Sequence, residues 1–136
     1  MASRLTEVII DCHDLEVEAK FWAAVLDYER VAGGDGWICI GPSGPFGPNP
    51  TDADWRAAAQ PPNISFVLVP EEKSLKNRVH LDVTPIDGNQ AQEVDRLTGL
   101  GARTVDIGQG AQSWVVMADP EGNEFCVMSP LEHPAD

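Results

Sequence analysis

The sequence predicts an α+β fold made of two βαβββ modules in tandem, on three observations. Short apolar–polar alternations, at a period of two, mark strands at Glu7–Cys12, Ile64–Val69 and Val79–Val83. Stripes at helical spacing follow the first and third of these runs. The same order of elements then occurs twice, with Asp14 answered by Asp87 and Trp37-Ile38 by Trp114-Val115. A βαβββ unit cannot close a core alone, so the modules are read as one domain over residues 1–136. Module 1 covers about 5–70, with a loop insertion at 41–62, and module 2 covers about 77–130.

Each element has a local reason. In Glu7–Cys12, Val8, Ile10 and Cys12 share one side, and Asp14 then supplies an N-cap with Glu16 and Glu18 in the first turn. Val17, Phe21 and Val25, flanked by Trp22 and Leu26, make Leu15 to about Tyr28 an amphipathic helix. Glu29–Ala32, a turn at Gly33-Gly34-Asp35-Gly36 and Trp37–Ile40 form a hairpin. The strand Ile64–Val69 completes the first module. In the second, Asp87 precedes a helix striped by Ala91, Val94, Leu97 and Leu100 and stopped by Gly101. Thr104–Ile107, a turn at Gly108-Gln109-Gly110 and Ser113–Ala118 form the next hairpin. The turn Asp119-Pro120-Glu121-Gly122 leads into the last strand, Glu124–Met128.

Composition bounds the function. With 43% hydrophobic and 23% charged residues the chain reads as globular. Nine Lys+Arg against 22 Asp+Glu leave a net charge of −13, which argues against a nucleic-acid or anionic-membrane partner. The excess acid serves solubility first and is also compatible with a cationic ligand. Cys12, Cys39 and Cys126 are odd in number and widely spaced, as expected of reduced thiols. No signal-peptide core or membrane-length apolar run is present, so a cytoplasmic location is expected.

Alternation also sorts the faces. One side carries Val8, Ile10, Cys12, Ile64, Phe66, Leu68, Val79, Leu81, Val83, Phe125 and Val127, and is expected to pack beneath the helices. The other carries Glu7, Ile9, Asp11, Ser65, Val67, His80, Asp82, Glu124, Cys126 and Met128. Carboxylates, an imidazole and a thiol among apolar residues suit a ligand-binding surface, although a solvated sheet face would show the same alternation.

The runs Val8–Leu15 and Phe21–Tyr28, with Asp119-Pro-Glu-Gly-Asn-Glu-Phe125, resemble the vicinal oxygen chelate superfamily, in particular its glyoxalase-like and bleomycin-resistance-like members. The resemblance covers nearly the whole chain. It implies curved mixed sheets around a small-molecule cup, helices on the outer face, and a homodimer. In metal-dependent members the ligands are His, Gln or Glu on the first and last strands of each module. Those positions fall here on Glu7, Ser65, His80 and Cys126. Serine is a poor ligand and a thiol disfavours hard octahedral metals, so the usual divalent site is not expected.

The expected function is therefore binding of a small organic molecule in the cup, with no cofactor favoured. Sequestration of a cationic or amphipathic drug is one form of it. The alternative is a lyase or isomerase in which Glu7, His80 and Cys126 hold a divalent metal such as zinc. There His80 and Glu7 are the candidate catalytic residues, with Asp82 placed to orient the imidazole. Ile9, Asp11, Ser65, Val67, Asp82, Glu124 and Met128 are candidate ligand contacts. The insertion holds six of the eleven prolines, and its Trp55 is a candidate lid residue.

Overall fold

Alternation and capping build the first unit as expected, apart from its element ends. The computed structural model describes residues 3–42, 53, 61–110 and 112–130. Two compact units divide the chain, Met1–Glu72 and Lys73–Asp136. Strand β1 (Glu7–Cys12) turns Val8, Ile10 and Cys12 inward and leaves Glu7, Ile9 and Asp11 exposed. Helix α1 (Leu15–Leu26) starts where the Asp14 side chain accepts a hydrogen bond from the Val17 N–H. It ends two residues before the expected Tyr28, because Asp27 takes a left-handed conformation (φ 54°, ψ 43°) and donates its N–H to the Ala23 carbonyl.

Strands β2 (Tyr28–Gly34), β3 (Trp37–Pro42) and β4 (Asn63–Leu68) complete a sheet ordered β1-β4-β3-β2. Gly33 and Gly34 lie in β2 and not in the turn, which is Asp35-Gly36. The Trp37 indole accounts for Gly34: a Cβ there would stand 2.6 Å from its Nε1. Strands β1 and β4 pair in parallel and the others antiparallel, so the sheet is mixed. Helix α1 covers one face, where Ile38, Ile40, Ile64 and Phe66 are buried with Phe21 and Trp22. The Phe21 and Trp22 rings meet edge to face at 5.3 Å.

The second unit repeats the plan with shorter strands. Strand β5 is only Asp82–Val83, against the expected Val79–Val83. Upstream, the Asn77 N–H is bonded to the Glu124 carboxylate, so the chain before Leu81 leaves the ladder and Val79 is 80% exposed. Helix α2 (Gln90–Leu100) is capped by Asn89, not Asp87. Asn89 accepts from the Gln92 N–H, and the Gln92 side chain accepts from the Asn89 N–H, a reciprocal capping box. Gly101 ends the helix as expected, at φ 118°.

Strands β6 (Arg103–Thr104), β7 (Val115–Ala118) and β8 (Glu124–Val127) give the order β5-β8-β7-β6. Expected ends at Ile107 and Ser113 fall outside β6 and β7, although the Val105 N–H still reaches the Val116 carbonyl. Leu97, Met117, Phe125 and Val127 are fully enclosed, while Ala91 and Leu100 of the expected stripe are exposed. The fold is thus α+β, with two mixed four-stranded sheets and one helix on each. Among the described residues no helix is long and apolar enough to cross a membrane.

Candidate functional site

Pairing register decides which side chains share the face opposite each helix. In the first unit Ile9 pairs with Ser65 and Asp11 with Val67, while Cys39 and Trp37 of β3 pair with the same two β4 residues. Glu7, Ile9, Asp11, Ser65 and Val67 therefore lie on one face, as the alternation predicts, and Trp37 and Cys39 join them. The Glu7 Oε1 accepts hydrogen bonds from the Ser65 hydroxyl and from the Cys39 thiol, the latter at 3.7 Å. Burial raises the Cys39 thiol pKa most, and the Glu7 charge adds to the rise, against hydrogen bonds from Ser65 and Asn63 that lower it. Cys39 is thus held as a thiol donor to Glu7. Ile9 at 62% and Trp37 at 38% exposure leave apolar surface beside these polar groups.

The sequence marks Cys39 only as a reduced thiol and not as a site residue. Its signal was present in Trp37-Ile38-Cys39-Ile40, where it points away from Ile38 and Ile40. Only the β3–β4 register, however, reveals that it stands beside Ser65.

In the second unit Asp82 pairs with Cys126 across the parallel β5–β8 ladder, which sets both on one face. His80 precedes β5 and reaches the same place. Its ring nitrogen, an Asp82 carboxylate oxygen and the Cys126 sulfur lie within 4.8 Å of one another. His80 and Asp82 are exposed and Cys126 is buried. Desolvation raises the Cys126 thiol pKa first, and Asp82 raises it further, with Lys76 acting in the opposite direction. The structure thus brings His80 and Cys126 together with Asp82 within the second unit, and Glu7 together with Ser65 within the first.

Glu124 serves differently from the expected ligand contact. Its carboxylate accepts from Lys73 Nζ and from the Asn77 N–H, each at 2.9 Å, and so ties down the segment that leads to His80. Burial opposes its ionisation, but these donors outweigh it and hold its pKa below the usual carboxylate value. Ionised Glu124 therefore contributes stability above its unfolded pKa, and that contribution is lost as pH falls through the depressed folded value. Glu124→Gln is expected to cost about 1–3 kcal/mol at pH 7. In urea titrations from pH 7 to pH 3 the gap between the variant and the parent should close. Met128 follows β8 and is half-buried, with its N–H on the Val83 carbonyl. Trp55 lies outside the described residues.

Comparison with known proteins places this geometry. The family model described as a glyoxalase-like domain matches residues 7–128. No curated protein matches the sequence. Among solved structures, the fosfomycin resistance protein FosX from Mesorhizobium loti is similar at a TM-score of 0.61 and 13% identity, over 94% of this chain and 92% of that one. FosX from Listeria monocytogenes, a mutant complexed with Mn(II) and 1S,2S-dihydroxypropylphosphonic acid, gives 0.62 and 15%, over 96% and 93%. A glyoxalase/bleomycin resistance protein/dioxygenase family enzyme from Burkholderia phytofirmans gives 0.55 and 16%, over 92% and 97%. At these identities the likeness is one of fold.

Proposed function

The chain belongs to the glyoxalase-like domain family, and on that footing we propose that it binds a small organic molecule without the divalent-metal set of the family's metal-dependent members. The observation that carries this reading is the exposed part of the first sheet's face opposite α1. There Ile9 and Trp37 expose apolar surface beside Glu7 and Asp11. Mixed apolar walls with few polar groups are what a small-molecule site requires. At the expected metal positions the donors fit poorly: Glu7 already accepts from Ser65 and Cys39, and Cys126 offers sulfur where a hard metal takes oxygen. The net charge of −13 favours a cationic or amphipathic ligand, and sequestration of such a compound needs no chemistry beyond binding.

A thermal-shift screen over small cationic and amphipathic compounds tests the reading. A ligand at a hundred times its Kd should add about 2.7 kcal/mol to stability. Hits are expected to vanish in both Ile9→Asp and Asp11→Lys. Hits that survive both substitutions would remove this face from the site.

The cluster of His80, Asp82 and Cys126 favours a second reading, a metal-assisted lyase or isomerase. A bound divalent ion would supply Lewis-acid polarisation of a substrate oxygen. Asp82 would orient the His80 imidazole, and His80, where it is not a ligand, would move a proton. Elemental analysis of protein purified without chelator separates the readings. Near-stoichiometric metal that disappears in His80→Ala supports the enzyme, and its absence after incubation with zinc, nickel and manganese supports simple binding.

A further inference from the structure

We propose that Trp37 is the platform for a quaternary ammonium group, so that the first sheet's face opposite α1 selects an alkylated organic cation over a primary amine. The proposal deepens the small-molecule reading above by naming the ligand class, and it rests on that reading. Three observations carry it. Trp37 is 38% exposed on this face, and Gly34 makes room for its ring. A Cβ on Gly34 would lie 2.6 Å from the indole Nε1 and 3.2 Å from Cε2, so the nitrogen edge of the ring leans over β2.

The face is also negative. Its paired positions hold Glu7, Asp11 and Glu29 and no Lys, Arg or His. Arg30 pairs with Ile40 on the other face and meets Glu16 at 3.2 Å. Yet no carboxylate is placed to accept from an ammonium seated on the indole. Asp11 and Trp37 flank Val67 from opposite sides, two strand spacings or about 10 Å apart. The Glu7 Oε1 is turned to Ser65 and Cys39, and Glu29 pairs with Gly41, four residues along β3 from Trp37. A primary ammonium is strongly hydrated and gives up water only for acceptors at hydrogen-bond distance. A quaternary ammonium has no N–H to satisfy, so the electron-rich indole face and the negative field of the sheet are enough to hold it. Val67, half-buried between Asp11 and Trp37, offers contact to its alkyl groups.

The test is an NMR titration of the isotope-labelled full chain with benzyltrimethylammonium, benzylammonium and benzyl alcohol at constant ionic strength. The chain has four tryptophans, and the indole N–H signal missing from Trp37→Phe is that of Trp37. This signal should move with benzyltrimethylammonium, which should bind about three- to tenfold more tightly than benzylammonium and more tightly than the uncharged alcohol. Trp37→Leu should abolish the preference for the quaternary ion. Trp37→Phe should retain part of it, and keeps the test informative if Trp37→Leu fails to fold. Equal affinities for the two cations, a preference that survives Trp37→Leu, shifts confined to other indoles, or no binding of the quaternary probe would each overturn the proposal. The small-molecule reading is judged separately, by the wider screen with Ile9→Asp and Asp11→Lys. Hits lost in those variants but indifferent to Trp37→Leu would keep that reading and end this proposal.

Discussion

Phe66→Ala is expected to destabilise the chain by about 3–5 kcal/mol, the range for emptying a buried aromatic site. Phe66 is 0% exposed in β4, one of the two interior strands of the first sheet. It pairs with Ile10 of β1 and Ile38 of β3, and this is the face that α1 covers. None of these neighbours can collapse into the space without breaking the ladders that hold it. Leu68, two residues on, faces the same way yet is 51% exposed, so Leu68→Ala should change stability by under about 1 kcal/mol. Urea unfolding of the two variants measures the difference directly. Similar losses at the two positions would mean that α1 does not decide what this face buries.

That contrast marks what the sequence can reveal. Alternation places Phe66 and Leu68 on one side of the strand, because side chains repeat every two residues. It does not say which positions on that side the covering helix reaches: α1 begins only at Leu15, three residues past Cys12, which pairs with Leu68. Val79 fails for a related reason. Its run reads as a strand, but Glu124, 47 residues beyond Asn77, anchors the backbone just upstream of it, and the run pairs only at Asp82–Val83. Capping shows the same limit at short range. Asp14 caps α1 as its position suggests, whereas the repeat points to Asp87 when the reciprocal bonds belong to Asn89 and Gln92.

The candidate site was half legible. His80 and Asp82 two apart, and Cys126 in the last strand, are visible as chemistry in the sequence, and the β5–β8 register unites them. Cys39 was hidden because a thiol in an apolar run reads as core. Its link to Glu7 spans 32 residues and passes through the β3–β4 pairing. Long-range register is the information that periodicity lacks. Where the sequence fixes which face a residue takes, only pairing fixes its neighbour on that face.

Asp119→Ala should be the other large loss, about 3–5 kcal/mol, although the residue lies in a turn. Asp119 is 0% exposed, and its Oδ1 accepts from the Glu121 N–H at 3.0 Å and the Asn123 N–H at 2.9 Å. Its Oδ2 accepts from the Asn123 side-chain amide at 3.1 Å. The backbone closes the same turn, since the Asp119 N–H reaches the Asn123 carbonyl and the Gly122 N–H reaches the Asp119 carbonyl. Gly122 supplies the φ of 91° that the turn requires. Hydrogen bonds to a charged group contribute about 1.5–3 kcal/mol each, and these three share one carboxylate, so their sum is not additive. Alanine would leave their donors without this acceptor. Asp119→Asn keeps an oxygen for the two N–H groups and should lose less than half as much. The consequence reaches the site, because this turn delivers β8 and Cys126 stands three residues after Asn123. Asp119→Ala should therefore lower the melting temperature more than Asp119→Asn does. Equal melting temperatures for the two variants would show that the backbone bonds alone hold the turn.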